Sequence, residues 1–227
     1  MKNIYELFMT KIIANIKWDL LRYKLTGRKY GLTWNDHKDI LEVLSKGNYI
    51  ILTWRSSHLT SYLTAFGHFI LTGRWQKISH ALMNIELLEN VNQSNTTFLE
   101  ATGEGVHKSH FYQVFDCDRA IILRPLTDDF DWEDVIEEVI SNEGKKYDNL
   151  FSLSDESEMS CVELILDGLS RVPDHLYRFH GLYSMIKNEG NLTPAMYIES
   201  GSFEVVLDIY RPWFSRGYKY VKTKATS

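Results

Sequence analysis

Apolar positions recur at helical spacing in two stretches near the start of the chain. In the first stretch they lie three or four residues apart, which predicts a helix with one apolar face. These positions are Ile4, Leu7, Phe8, Ile12, Ile13, Ile16, Leu20 and Leu21, within residues 4–23. The second stretch, "TWNDHKDILEVLSKG", predicts a helix that begins after a cap-like Thr or Asn and ends at Gly47. Residues 1–45 are therefore predicted to form a helical extension.

From residue 48 the pattern changes to short runs rich in β-branched and aromatic residues, which predict strands. These runs cover residues 48–54, 80–88, 96–101, 120–126 and 203–210. The apolar piece between the first two runs, "SSHLTSYLTAFGHFILTG", is compatible with a helix or with a pair of strands. An acidic helix is predicted in "DFDWEDVIEEVISNEG", and another begins near Cys161. Strands mixed with separated helices indicate an α+β fold with a mostly antiparallel sheet.

Composition and charge narrow the class of protein. A chain of 227 residues with 44% hydrophobic residues can bury a core without a disulfide or a metal. The formal charge of -5 argues against a general nucleic-acid binder. No apolar run is long and uninterrupted enough for a transmembrane helix or a signal peptide, so a soluble cytoplasmic protein is expected. Residues 1–30 carry seven Lys and Arg against two acidic residues. The favoured interpretation is a helical cap that packs on the core with its charges in solvent. The alternative is an interfacial helix that contacts anionic lipid.

The first candidate for chemistry is Cys161, in "DESEMSCVELIL". A thiol in the first turn of a helix lies at the positive end of the helix dipole, which favours the nucleophilic thiolate. Asp155, Ser157 and Ser160 are all possible N-caps ahead of it. A lone cysteine near a helix start is also a common structural residue, so a nucleophile additionally requires a base and a group that orients the base.

His80 and Glu100 are the candidates for these two roles. His80 begins one strand-like run, in "KISHALMNIE", and Glu100 ends the next, in "TTFLEATGEGV". If the two runs pair as neighbouring strands, Glu100 would hold the imidazole in the correct tautomer and stabilise its cationic form. The alternative is that His80 begins a strand without a chemical role and that Glu100 is a solvated charge.

Six short motifs in this order resemble the circularly permuted papain-like cysteine hydrolases, and among them the YiiX/YaeF-like amidases of the cell-wall peptidase superfamily. The matching positions are Gly47-Asn48, Ser79-His80, Glu100-Ala101, Gly144-Lys145-Lys146-Tyr147-Asp148, Cys161-Val162-Glu163 and the later segment "LTPAMYIESGSF". The resemblance covers roughly residues 46–210. Two positions depart from the family pattern: Asn48 stands where Asp is usual, and Val162 stands where Ser is usual.

The resemblance implies that residues 46–227 form a permuted papain-like catalytic domain. It implies that Cys161 attacks the carbonyl carbon of an amide or ester, that His80 transfers the proton, and that Glu100 orients His80. Tyr147 would line the site and donate to the oxyanion. The implied substrate is a small-molecule, peptide-like or lipid-linked amide or ester, and an amine or alcohol acceptor would make the protein an acyltransferase. No cofactor is implied, and the sequence leaves the oligomeric state open.

A non-catalytic binding module that retains the papain-like cleft is the competing interpretation. "HKSH", residues 107–110, together with Cys117 has the residue types of a zinc site, although the spacing is a weak signal. Cys117 lies between two aspartates, which raise the pKa of a thiol and make it a poor nucleophile. His58 and His68 lie in an apolar region and are predicted to be core residues. The apolar residues of 59–71 could line an acyl pocket or belong to the core.

Overall fold

A computed structural model describes residues 31–56, 58–86, 97–127, 130–148, 157–211 and 219–221. The helix predicted over residues 4–23 and the lipid contact considered for residues 1–30 lie outside these ranges. The helices in the described ranges are α1 (Trp34–Leu44), α2 (Leu59–Thr72), α3 (Phe111–Val114), α4 (Glu133–Ser141), α5 (Cys161–Ser170), α6 (His175–Arg178), α7 (His180–Glu189) and α8 (Met196–Glu199). The strands are β1 (Ile50–Trp54), β2 (His80–Asn84), β3 (Thr97–Thr102), β4 (Gly105–His110), β5 (Arg119–Pro125), β6 (Lys146–Tyr147), β7 (Glu158–Met159), β8 (Phe203–Tyr210) and β9 (Lys219–Val221).

Seven of these strands form one sheet in the order β4-β3-β2-β1-β5-β8-β9. Each neighbouring pair in this sheet is antiparallel. The short strands β6 and β7 form a separate parallel pair. Mixed helices and an antiparallel sheet confirm the α+β prediction. The five strands predicted from the sequence are β1, β2, β3, β5 and β8, whereas β4 was not predicted.

The sheet separates two hydrophobic clusters, because alternate residues of a strand point to opposite faces. On β1, Leu52 packs into the first cluster with Ile165 of α5, and Ile51 packs into the second. Ile40 and Leu44 of α1 belong to the second cluster. The part of the predicted N-terminal extension that the structure describes therefore packs directly on the sheet.

Helix α1 begins with a capping box, as the Thr in its sequence predicted. The backbone N–H of Thr33 donates to Asp36 Oδ2 at 2.8 Å, and the amide of Asp36 is bonded to Thr33 Oγ1. Asp36 also pairs with Arg211 Nη2 at 2.7 Å. Burial raises the pKa of Asp36, but the bonds from Arg211 and Thr33 lower it further, so the carboxylate stays charged. This ion pair fixes α1 to the residue that follows β8.

Helix α2 resolves the ambiguity of the apolar piece after β1, which is helical from Leu59 to Thr72. His68 of α2 is a buried core residue, as predicted, with Nδ1 2.7 Å from Thr193 Oγ1 and Nε2 3.2 Å from Glu199 Oε1. The same prediction for His58 was wrong, because His58 is the partly exposed N-cap residue of α2. No helix in the described part of the chain is long and apolar enough to cross a membrane.

Helix α5 packs closely on α4 through Gly168. A Cβ atom at this position would lie 2.5 Å from Val139 Cγ2 and 3.1 Å from the carbonyl oxygen of Val135. A larger residue would therefore push the two helices apart. Leu164, Ile165 and other apolar side chains of α5 are buried in the first cluster, so both contacts fix the position of the first turn of α5.

Candidate active site

Helix α5 places Cys161 at its first residue. Ser160 is the N-cap: its backbone N–H donates to Glu163 Oε2 at 2.7 Å, and its side chain accepts from the amide of Glu163 at 3.4 Å. This capping box uses the amides of Ser160 and Glu163. The Cys161 N–H, in the first turn, has no intrahelical acceptor and lies at the positive end of the helix dipole. The sulfur thus has the electrostatic environment that the sequence predicted.

Strands β2 and β3 bring His80 and Glu100 together. The strands pair antiparallel with Leu82 opposite Glu100, so His80 is a diagonal neighbour of Glu100 on the same side of the ladder. His80 Nε2 lies 2.7 Å from Glu100 Oε2. The pairing of these two runs, which the sequence left as a condition, is present in the structure.

The second oxygen of Glu100 is also occupied. The buried hydroxyl of Ser109, on β4, donates to Glu100 Oε1. His107 Nε2 lies 3.8 Å from the same oxygen. Sequence reasoning missed Ser109 because β4 was not predicted; the signal was the alternation of His107 and Ser109 directly after a Gly-rich turn. With both oxygens held, the carboxylate of Glu100 has a fixed orientation toward His80.

Cys161 lies within interaction range of His80, since its charge and hydrogen bonding are among the causes that raise the pKa of the ring. Because Nε2 of the ring faces Glu100, Nδ1 is the nitrogen that remains for the sulfur. Burial lowers the pKa of His80, but the negative charges and hydrogen bonds of Cys161 and Glu100 outweigh burial and raise it to about 10. Burial raises the pKa of Glu100, but the bonds and charge of His80, with Ser109 and Arg55, lower it to about 2. Both groups are therefore charged at neutral pH.

Tyr147 lies beside the same sulfur. Strand β6 pairs Tyr147 with Met159, two residues before Cys161, which brings the phenol near the sulfur. Burial raises the pKa of Tyr147 well above its ordinary value, and the negative charges of Cys161 and Asp148 raise it further. The phenol therefore keeps its proton near neutral pH and can serve as a donor.

Tyr197, which sequence reasoning did not single out, supports the first turn of α5. Its hydroxyl donates to the carbonyl oxygen of Val162 at 2.8 Å, and its ring is buried in the first cluster. Burial raises the pKa of Tyr197 well above its ordinary value. The residue lies in the segment "LTPAMYIESGSF", whose resemblance to the family gave the available signal.

The two departures from the family pattern have structural roles. Asn48 lies before β1, at the opposite end from Thr53, which pairs with His80. Asn48 Nδ2 donates to the backbone oxygens of Asn84 at 3.0 Å and Glu86 at 3.2 Å. A carboxylate has no proton for these bonds at neutral pH. The Val162 side chain is buried in the first cluster, so it packs the core beside Cys161.

The remaining candidates have different surroundings, and among them His107 lies beside Glu100, as described above. Cys117 is buried in the second cluster, and burial raises the pKa of its thiol, as do Asp118 and Asp116. His110 is exposed at the end of β4. The described residues contain no group of three or more His, Cys, Asp or Glu side chains arranged to hold a metal ion.

The chain matches no protein-family model, no curated protein and no solved structure. A sulfur at a helix start, with an imidazole near it and a carboxylate bonded to the imidazole, is an arrangement that a nucleophile, a base and an orienting group can adopt.

Proposed function

We propose that this chain is a cysteine hydrolase with a permuted papain-like catalytic domain. Cys161 is the nucleophile, His80 carries the proton, and Glu100 orients His80. The observation that carries the proposal is the 2.7 Å contact between His80 Nε2 and Glu100 Oε2, on a ring whose pKa is also raised by the nearby Cys161. The order of these residues along the chain and the hairpin that holds two of them support the permuted papain-like domain.

In the first step the Cys161 thiolate attacks the carbonyl carbon of an amide or ester, and the carbonyl electrons move to the oxygen. The Cys161 N–H and the Tyr147 hydroxyl donate to this oxyanion. The carbon–nitrogen or carbon–oxygen bond then breaks, and His80 Nδ1–H protonates the leaving group. A thioester and a neutral imidazole remain.

In the second step water attacks the thioester while His80 takes its proton. The carbon–sulfur bond breaks, the acid is released, and the thiolate–imidazolium pair forms again. An amine or alcohol in place of water would give acyl transfer with the same residues. The substrate is a small-molecule, peptide-like or lipid-linked amide or ester.

One observation favours the alternative of a non-catalytic binding module. Cys161 is 2% exposed, so the sulfur is shielded in this conformation. An idle, shielded thiol and an activated one differ in their reactivity toward a small alkylating agent. This difference separates the two functions without knowledge of the substrate.

The test is the rate of iodoacetamide alkylation of Cys161 as a function of pH, followed by peptide mass spectrometry. We expect Cys161 to be alkylated faster than Cys117 near neutral pH, because a protonated His80 beside the sulfur favours the reactive thiolate. His80→Ala should slow the reaction of Cys161 toward that of Cys117. His180→Ala, which changes an exposed histidine, should leave the rate of Cys161 unchanged. Equal behaviour of Cys161 and Cys117, unaffected by His80→Ala, would leave the binding module as the conclusion.

A further inference from the structure

Helix α2 buries two polar side chains and exposes its large apolar ones. The buried residues of the helix are Ser61, Ala65 and His68. The large exposed side chains, together with Trp75 three residues beyond the helix end, are aromatic and aliphatic. The α2 apolar face consists of Tyr62 (40% exposed), Phe66 (52%), Phe69 (42%), Ile70 (65%) and Trp75 (46%).

The orientation of α2 is fixed by its buried polar residues. Ser61 Oγ lies 2.8 Å from Ser79 Oγ, near the start of the helix. Nearer its end, His68 Nδ1 lies 2.7 Å from Thr193 Oγ1. Rotating the helix to bury its apolar face would break both bonds and leave buried polar groups without partners, which is costly. The outward direction of the apolar face is thus built into the fold.

The sequence has no charged residue between Arg55 and Arg74. A helix on the surface of a globular protein normally carries charged residues on its solvent side. A contiguous exposed apolar face without charges is typical of a surface that another molecule covers. The α2 apolar face is therefore expected to have an occupant.

We propose that the α2 apolar face binds the surface of a lipid bilayer that contains anionic lipids. Trp, Tyr and Phe are the side chains that favour the boundary between headgroups and acyl chains. Arg74, next to Trp75, is 68% exposed although its Nη1 lies 3.5 Å from Glu199 Oε2, so a positive charge lies at the edge of the face. A cation at that edge is attracted to anionic headgroups.

The buried side of α2 is joined to the strand that carries His80, because Ser61 bonds to Ser79, the residue before His80. A bilayer bound to α2 would hold the site close to lipid. The binding itself does not depend on the proposed reaction, because none of the residues of the α2 apolar face belongs to the catalytic group.

The test is cosedimentation of the full chain with phosphatidylcholine vesicles, with and without phosphatidylglycerol. We expect the wild type to bind the anionic vesicles more strongly than the neutral ones, and to be released by salt. The double variant Phe66→Asp/Ile70→Asp should bind about tenfold or more weakly, because two apolar side chains no longer enter the interface. The matched control is Leu176→Asp/Tyr177→Asp, which changes residues of α6 that are 60% and 85% exposed, and it should bind within about twofold of the wild type. Circular dichroism checks that both variants fold.

Three results would overturn the proposal. The first is a wild type that fails to bind either kind of vesicle. The second is equal binding by the wild type and the Phe66→Asp/Ile70→Asp variant, which would locate the lipid contact elsewhere in the chain. The third is a wild-type dimer in analytical ultracentrifugation that this variant loses, without vesicle binding, which would assign the face to a second copy of the chain.

Discussion

Glu100→Gln tests how much the charge of one buried carboxylate contributes to the fold. The pKa of Glu100 falls from 4.5 to about 2 because His80 and Ser109 bond to it, and its side chain is 8% exposed. One pKa unit corresponds to about 1.4 kcal/mol, so the lowering corresponds to about 3 kcal/mol of stability. This contribution is present above pH 4.5 and is lost as the pH falls toward 2. Gln keeps the shape and loses the charge, so the free energy of unfolding at pH 7 should fall by about 3 kcal/mol.

The assay is urea unfolding followed by circular dichroism at several pH values between 7 and 3. The wild type should lose stability in this range, and Glu100→Gln should lose about 2 kcal/mol less over it, because part of the contribution remains until the pH reaches about 2. The matched control is Glu42→Gln, since the side chain of Glu42 is 70% exposed and pairs with Lys46 one turn away; its effect should stay under about 0.5 kcal/mol. Parallel pH profiles for the wild type and Glu100→Gln would refute the reasoning.

Three further substitutions probe regions away from the sulfur. Asn48→Asp probes hydrogen bonding, and Gly168→Ala with its control Gly67→Ala probes helix packing. Asn48→Asp introduces the residue usual in the resembled family but removes the donor to the Asn84 and Glu86 oxygens, so the free energy of unfolding in urea should fall by about 2 kcal/mol; an unchanged midpoint would contradict this. Gly168→Ala should lower the free energy of unfolding by about 1–3 kcal/mol, because its Cβ would lie too close to the side chain of Val139. Thermal unfolding should show this as a lower midpoint. Gly67→Ala, at a helical position with open space around it, should instead raise stability by up to about 1 kcal/mol, and equal effects of the two alanines would argue against the close packing of α4 and α5.

The features predicted well from the sequence are those set by local pattern. The strand run ending at Trp54 and the helix beginning at Cys161 follow from β-branched runs and from a capping residue next to an apolar stripe. The neighbourhood of His80 and Glu100 was conditional on the pairing of two consecutive strands, and the structure shows that pairing.

The features that the sequence did not predict depend on tertiary contacts. Helix α2 was ambiguous because its apolar residues lie outside, so no polar solvent face marks the helical period. Strand β4 was missed because its polar residues, among them Ser109, are held by the carboxylate of Glu100 rather than by apolar packing. Strands β6 and β7 have two residues each, which is too few to show the alternation of apolar and polar residues that predicts a strand.

The members of the proposed catalytic group arise from separate parts of the chain. His80 and Glu100 lie on neighbouring strands, which can pair as soon as both have left the ribosome. Cys161 follows much later, and Tyr197, which holds its helical turn, later still. During biosynthesis the thiol therefore meets its imidazole after most of the domain has been made. In the proposed mechanism, a chain that ends before Tyr197 would carry Cys161 without this support, so the activated thiol would form only when folding is complete.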